Sequence, residues 1–243
     1  MDQFVEDVTP EPARPVERPL MVQRWQEATF LHWPVAPEVV APFLPAGTRP
    51  DILDGVTFVG IIGFRMEGLG LGRGPGLPYF GTFCETNVRL YSVDRLGRRG
   101  VVFRSLDASR LVPVLGARAA LRLRYMWSRM RMTRTGDVVS YRSARHVTGR
   151  APVRFSVQVG QPIAEPTPLE HFVTARWALH TRAWGRTLYV PNDHPRWPLH
   201  RATLTDLDEG LIAAAGLPAP DGPPPSVLYS PGVPVVFGRP VPL

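Results

Sequence analysis

The chain has 243 residues, 44% of them hydrophobic, and a formal net charge of +7. That length suits one large domain or two small ones with a sizeable core, and no apolar run reaches the ~18 residues of a membrane-spanning helix. All 28 basic residues are arginine, so no side-chain Schiff base to a carbonyl substrate or to PLP can form, and a P-loop lysine is excluded.

The first twenty residues, MDQFVEDVTPEPARPVERPL, hold four prolines and seven charges. Such a segment buries little, and it is expected to be a flexible tail rather than a signal peptide. One cysteine, Cys84, permits no intramolecular disulfide, and the expected compartment is the cytoplasm. Of the arginines, 15 lie between residues 95 and 154, against only Asp107 and Asp137. A basic field of that size attracts anionic metabolites or nucleic acid. No helix-turn-helix, zinc-finger or RRM signature accompanies it, so nucleic acid ranks last.

From Met21 to the end, a single domain built mainly of strands is expected. VTFVGIIGFRM (56–66) is a continuous apolar run rich in β-branched and aromatic residues and reads as a buried strand. TFCETNVRLYSV and GVVFRSL (100–106) read as two more strands joined by the turn DRLGRRG. DASRLVPVLGARAAL (107–121) suggests a short helix with Asp107 or Ser109 as its N-cap. RYMWSRMRM and VVSYRSARHV form a second hairpin around TRTGD, and PVRFSVQVG adds a strand. TPLEHFVTARWALHTR carries the best helix signal: Thr167 and Glu170 as a capping box around Pro168, with Leu169, Phe172, Val173 and Trp177 as the buried stripe. TLYVPNDH returns as strand, DLDEGLIAAAG as a short helix, and SVLYSPGVPVVFG as a closing strand.

The glycine-rich loop EGLGLGRGPGLP (67–78) fails the dinucleotide fingerprint, because the glycine spacing is wrong and strand follows it; a connection or lid is expected instead. The six histidines, His32, His146, His171, His180, His194 and His200, form no HExxH pair and have no second thiolate to join, so no metal site is expected. His194 stands out within NDHPRWPLH, where the flanking prolines and Trp197 suggest a rigid, shaped turn. No GxSxG nucleophile turn occurs. Cys84 reads as packing.

The strand at residues 82–91 is the most informative stretch. Alternate side chains of a strand face opposite ways. One face therefore holds Thr82, Cys84, Thr86, Val88 and Leu90, and the other Phe83, Glu85, Asn87, Arg89 and Tyr91. Residues two apart lie ~6.6 Å from each other, so Asn87 neighbours both charges, while Glu85 and Arg89 are ~13 Å apart. Arg104 on the next strand is the natural cross-strand partner. A polar row inside a sheet needs a reason, because unpaired buried charge is costly.

FLHWPV, FLPAGTRPDILDG, FCETNVRLY, GVVFRSLDASR, GARAALRLRYMWSRM, NDHPRWPL and YSPGV together resemble the YqjF-like family of bacterial proteins, over roughly residues 21 to 235. That family is grouped by fold with acetoacetate decarboxylase. The resemblance implies an α+β, mainly β architecture: a curved antiparallel barrel or cone with a few outer helices and an internal pocket. It also implies that Glu85 matches the decarboxylase's inward glutamate, and that the Schiff-base lysine position falls near Arg124 or Tyr125. Without lysine that chemistry cannot operate here.

The resulting expectation is a pocket for a small anionic metabolite, a carboxylate, clamped by Arg89 or Arg104 as a bidentate guanidinium. Glu85 would act as general acid or base, Asn87 would orient the substrate and Tyr125 would donate a proton. Arg124 and His194 complete the substrate-binding candidates. No cofactor and no metal are called for, and a homo-oligomer is left open. Proton abstraction beside a carbonyl, dehydration and lysine-independent decarboxylation all fit these groups. The other reading is a non-catalytic protein that binds or senses the same ligand.

Overall fold

All but the first residue of the apolar run at 56–66 lies within β3 (Thr57–Leu71) of the computed structural model, which describes residues 4–111, 122–146 and 151–243. On one side β3 pairs with β1 (Met21–Val35), which in turn pairs with β12 (Ser226–Phe237). On the other side it pairs with β4 (Phe83–Asp94), which joins β5 (Arg99–Ala108) in the expected hairpin. The hairpin of β6 (Tyr125–Thr135) and β7 (Val138–Arg145) leads through β8 (Val153–Pro162) and β11 (His200–Glu209) to β12. Beyond β5 lie β9 (Ala178–Ala183), β10 (Arg186–Asp193) and β13 (Val241–Pro242), while β2 (Thr48–Pro50) edges β4. Pairings of β4 with β5 and of β10 with β12 bring the curved sheet partly round on itself. It is largely antiparallel; β5 runs parallel to β6 and to β9.

The α-helices among the described residues are short: α1 (Pro37–Val40), α2 (Pro168–Thr174) and α3 (Leu211–Ala214). The Thr167/Glu170 capping box is present, but α2 stops at Thr174 instead of running through TARWALHTR. Two local events end it. The Arg176 Nε donates to Phe172 O at 2.7 Å, the carbonyl that the Arg176 backbone N–H would take in a continuing helix, and that N–H turns to Thr174 O. Residues 178–183 then find β10 and β5 as ladder partners. Likewise Asp206–Glu209 belong to β11, which confines the last helix to four residues. Asp107 is a strand residue, not an N-cap; the remainder of the helix expected over 107–121 falls outside the described residues from position 112 onward.

Side chains from the two faces of β1, β3 and β4 enter two different cores. Phe30, Ile62, Phe64, Phe83 and Tyr91 join Phe172, Val173, Trp197 and Val235 on one side. Leu31, Ile61, Val88 and Leu90 join Tyr141, Phe155, Leu211 and Ile212 on the other. A strand wall buried on both sides explains why β3 reads as an unbroken apolar run instead of an alternating one.

Residues 4–20, proline-rich and charged, lie against this body. Glu6 N donates to Gly97 O (3.0 Å), Trp177 Nε1 to Thr9 O (3.1 Å) and Val16 N to an Asp193 carboxylate oxygen (3.1 Å). Nearby, Asp51 is 1% exposed and pairs with both Arg99 and Arg176, the latter stacked 4.2 Å from Phe172 and 4.8 Å from Tyr91. This ionic cluster ties the loop after β2 to β5 and α2. No helix among the described residues is long and apolar enough to cross a membrane.

Candidate functional site

Because β4 has a strand on either side and a core on each face, its polar row is sealed from bulk water. Glu85 is 3% exposed, Asn87 3% and Arg89 8%, and they share their face with Phe83 and Tyr91 as the alternation predicts. The Tyr125 hydroxyl, reaching in from β6, donates to Glu85 Oε2 at 2.9 Å, and Asn87 Nδ2 lies 3.4 Å from Oε1. Burial pushes the Glu85 carboxyl up to about 7; these two hydrogen bonds oppose the rise, and the charge of Asp107 adds to it. Asp107 itself is neutralised on the opposite face by Arg145, with Ser105 and Ser128 donating at 2.9 Å each. A carboxyl balanced near neutrality gains or loses a proton cheaply, as a general acid or base requires.

Arg89 is held differently. Its Nε donates to the Tyr91 hydroxyl at 2.9 Å and its Nη2 to the carbonyl of Val173, and its guanidinium lies 5.6 Å from the Phe30 ring. Every one of these partners is neutral. Among the described residues no carboxylate forms an ion pair with Arg89. The Tyr91 hydroxyl donates onward to Val173 O (3.0 Å) and lies 2.6 Å from His32 Nε2. Burial, reinforced by the Arg89 and Arg176 charges, holds His32 far below the usual histidine range, so it is neutral.

Gly60 sits between His32 and Arg89 in the cross-strand register. A Cβ there would stand 2.7 Å from the His32 ring, so only glycine leaves the ring its place against Tyr91. Gly60→Ala is expected to destabilise the fold by about 1–3 kcal/mol through this overpacking. Urea unfolding measures it, and an unchanged midpoint would mean that the ring has room to move.

The wall on the β1 side is aromatic. Trp25 packs against Phe64 (5.6 Å between centroids) and Trp197 (5.9 Å), and Trp197 against Phe30 (5.1 Å) and His194 (5.1 Å). His194 is 4% exposed, lies tilted 4.4 Å from the Trp177 ring, and places Nδ1 2.8 Å from Pro195 O. Burial lowers its pKa to about 4; Pro195 O and Asp193 oppose the shift and the Arg89 charge adds to it. The candidate site thus consists of a central polar row, Tyr125 on one flank and an aromatic cluster on the other.

Residues 22–234 match the DUF2071 family, described as an uncharacterized conserved protein. The chain belongs to this family. The chain is 28% identical over 207 residues to the uncharacterized protein YqjF of Bacillus subtilis, covering 84% of this chain and 85% of that one. Solved structures share its fold at low identity. The enduracididine biosynthesis enzyme MppR complexed with pyruvate superposes with a TM-score of 0.65 at 17% identity, over 92% of this chain and 90% of MppR. Acetoacetate decarboxylase from Legionella pneumophila gives 0.60 at 14%, over 97% and 92%. The DUF2071 chain therefore has an acetoacetate decarboxylase-like fold, as the sequence resemblance implies.

Not every residue singled out in the DUF2071 sequence joins the row. A β-bulge between Val88 and Arg89 brings Phe103, not Arg104, opposite Arg89. Arg104 turns to the other face, donates to Ala215 O at 2.9 Å and lies 4.4 Å from the Phe43 ring. Burial, with the Arg124 charge added, lowers its pKa to about 10. Arg124 is exposed and serves β5 through its carbonyl, which accepts from Leu106 N at 3.0 Å. Cys84 packs on the opposite face to Glu85, and burial raises its thiol pKa. No group of three His, Cys, Asp or Glu among the described residues is placed to hold a metal ion. The contributions of Trp25, Phe30 and Phe64 escape sequence reading, because nothing local distinguishes an aromatic at a site from one in a core.

Proposed function

We propose that the interior beside β4 binds a small carboxylate-bearing metabolite and that Glu85 moves a proton on it. One observation carries the reading: Arg89 is a buried cation whose protein partners are all neutral. A buried charge is strongly unfavourable without an opposite charge, and a ligand carboxylate supplies one with matching geometry. Glu85 lies on the same face, and its pKa of about 7 suits transfer in either direction. As a carboxylate it removes a proton from carbon beside a carbonyl; the C–H electron pair passes to the carbonyl oxygen as an enolate, and the proton later returns. Asn87 orients the substrate from between the two charges, and Tyr125 holds the Glu85 carboxyl in place. With no lysine in the chain, the reaction is a lyase, dehydratase or isomerase step that forms no Schiff base to a lysine side chain.

Pyruvate is the first probe, since one structural neighbour is described in complex with it. The protein is expected to accelerate exchange of the pyruvate methyl protons with D2O, followed by proton NMR. Glu85→Gln should cut that exchange ~100-fold or more while retaining affinity. Arg89→Gln should weaken pyruvate binding ~10-fold or more by calorimetry. Binding that depends on Arg89 without exchange above the protein-free rate would assign the chain to the second class, a non-catalytic binder. Affinity indifferent to Arg89 would end the carboxylate reading.

A further inference from the structure

The aromatic cluster holds two groups that the fold leaves without partners. The Nε1–H groups of Trp25 and Trp197 are buried and meet no acceptor, and the same is true of Asn87 Oδ1 in the neighbouring row. Native proteins rarely leave such groups bare, because the lost hydrogen bond to water is not replaced. This protein satisfies comparable indoles elsewhere: Trp33 donates to Gly222 O at 3.0 Å and Trp177 to Thr9 O at 3.1 Å. Phenylalanine would supply the same apolar packing at positions 25 and 197 with no orphaned donor. Two bare donors on rings that touch each other, 5.9 Å apart, mark one locality and not two accidents.

That locality adjoins the row. Trp197 rests on Phe30, over which the Arg89 guanidinium lies, and Trp25 rests on Phe64, the cross-strand neighbour of Glu85. His194 packs against both indoles. With Nδ1 engaged by Pro195 O, the tautomer that donates there leaves Nε2 as a lone-pair acceptor. Two N–H donors and one ring acceptor within apolar walls suit a hydroxyl on a flat ring, which accepts from an indole and donates to an imidazole.

We propose that the indole N–H groups of Trp25 and Trp197 recognise a ring hydroxyl, so that the ligand is a carboxylate with a hydroxylated aromatic body. This rests on the carboxylate reading of Arg89 and narrows it. The carboxylate end meets Arg89, and the ring lies against Phe30, Phe64 and His194.

Titration calorimetry with pyruvate, phenylpyruvate and 4-hydroxyphenylpyruvate on the wild type and on Trp25→Phe and Trp197→Phe tests it. Affinity is expected to rise along that series, with at least a tenfold gain from the hydroxyl group. One or both Phe variants should lose the hydroxyl gain and keep the wild-type pyruvate affinity, which also shows that they fold. If pyruvate binds and the hydroxyl adds nothing, or if its gain survives in both variants, the indole site is overturned while the Arg89 reading stands. If both variants lose pyruvate as well, the indoles are structural and the inference fails. If none of the three compounds binds the wild type, both readings fall together.

Discussion

Replacing Glu85 with Gln is expected to raise the melting temperature at pH 8 and to leave it level or slightly lower at pH 4. The folded carboxyl keeps its proton up to about 7, whereas its ordinary value is 4.5. Between those two values the folded state binds more protons than the unfolded state, so stability falls as pH rises through the window. Above about pH 7 the penalty is fully developed, at ~3 kcal/mol from 1.36 kcal/mol per pH unit. Glutamine carries no charge to desolvate, but it presents an amide where one of the two donors, Tyr125 or Asn87, now meets oxygen. That mismatch costs about 1 kcal/mol. The net gain at pH 8 is then ~2 kcal/mol, or roughly 4–8 °C in a chain of this length. At pH 4 only the mismatch remains. Melting curves across pH 4 to 9 separate the alternatives. A Glu85→Gln protein that melts lower than wild type at every pH would mean that the carboxylate is ionised and structural, and the proton-transfer role would have to be given up. A functional group kept at a cost to stability is the expected signature of a site.

The largest loss of stability is expected at Asp51, a carboxylate that the proposed proton transfer does not use. Asp51→Asn leaves Arg99 and the buried Arg176 facing each other without their shared counter-ion. Removing one partner of a buried pair costs about 3–5 kcal/mol, because the remaining charge stays desolvated. Chemical denaturation should show this loss with an unchanged denaturant slope. Adding Arg176→Met to Asp51→Asn should restore part of it, since the fully enclosed cation is then gone and methionine fills much of its volume against Phe172 and Tyr91. An Asp51→Asn protein within about 0.5 kcal/mol of wild type would place this cluster among ion pairs of surface strength. The contrast between the two carboxylates is physical. Asp51 has two guanidinium partners and stabilises its surroundings, while Glu85 has a phenol and an amide and does not.

The N-terminal segment and the second helix illustrate how far composition and periodicity reach. Four prolines and seven charges describe a stretch with little to bury. They do not reveal that its backbone bonds to the ends of β4, β5 and β10. Glu6 N meets Gly97 O, Arg99 Nε meets Glu6 O, and Val16 N meets the carboxylate of Asp193. In the same way the capping box at Thr167 is a four-residue pattern and is read correctly from the sequence. Where α2 ends is decided by the Arg176 side chain, which takes the Phe172 carbonyl, and by the ladder partners that the next residues find in β10 and β5.

The sequence alone determines what depends on residue identity or on near neighbours. The absence of lysine removes Schiff-base chemistry whatever the fold, and the two-residue period of a strand puts Phe83, Glu85, Asn87, Arg89 and Tyr91 on one face. Within the face, only the Asn87–Glu85 and Arg89–Tyr91 contacts are local; its other partners come from a distance. Tyr125 reaches Glu85 from 40 residues away, and Val173 reaches Arg89 from 84. A single bulge between β4 and β5 turns Arg104 to the other side, an offset that no alternation rule contains. The proton affinity of Glu85 is likewise a tertiary property. It follows from the removal of water by strands, rings and loops gathered from the length of the chain, and desolvation has no signature in the order of residues around it.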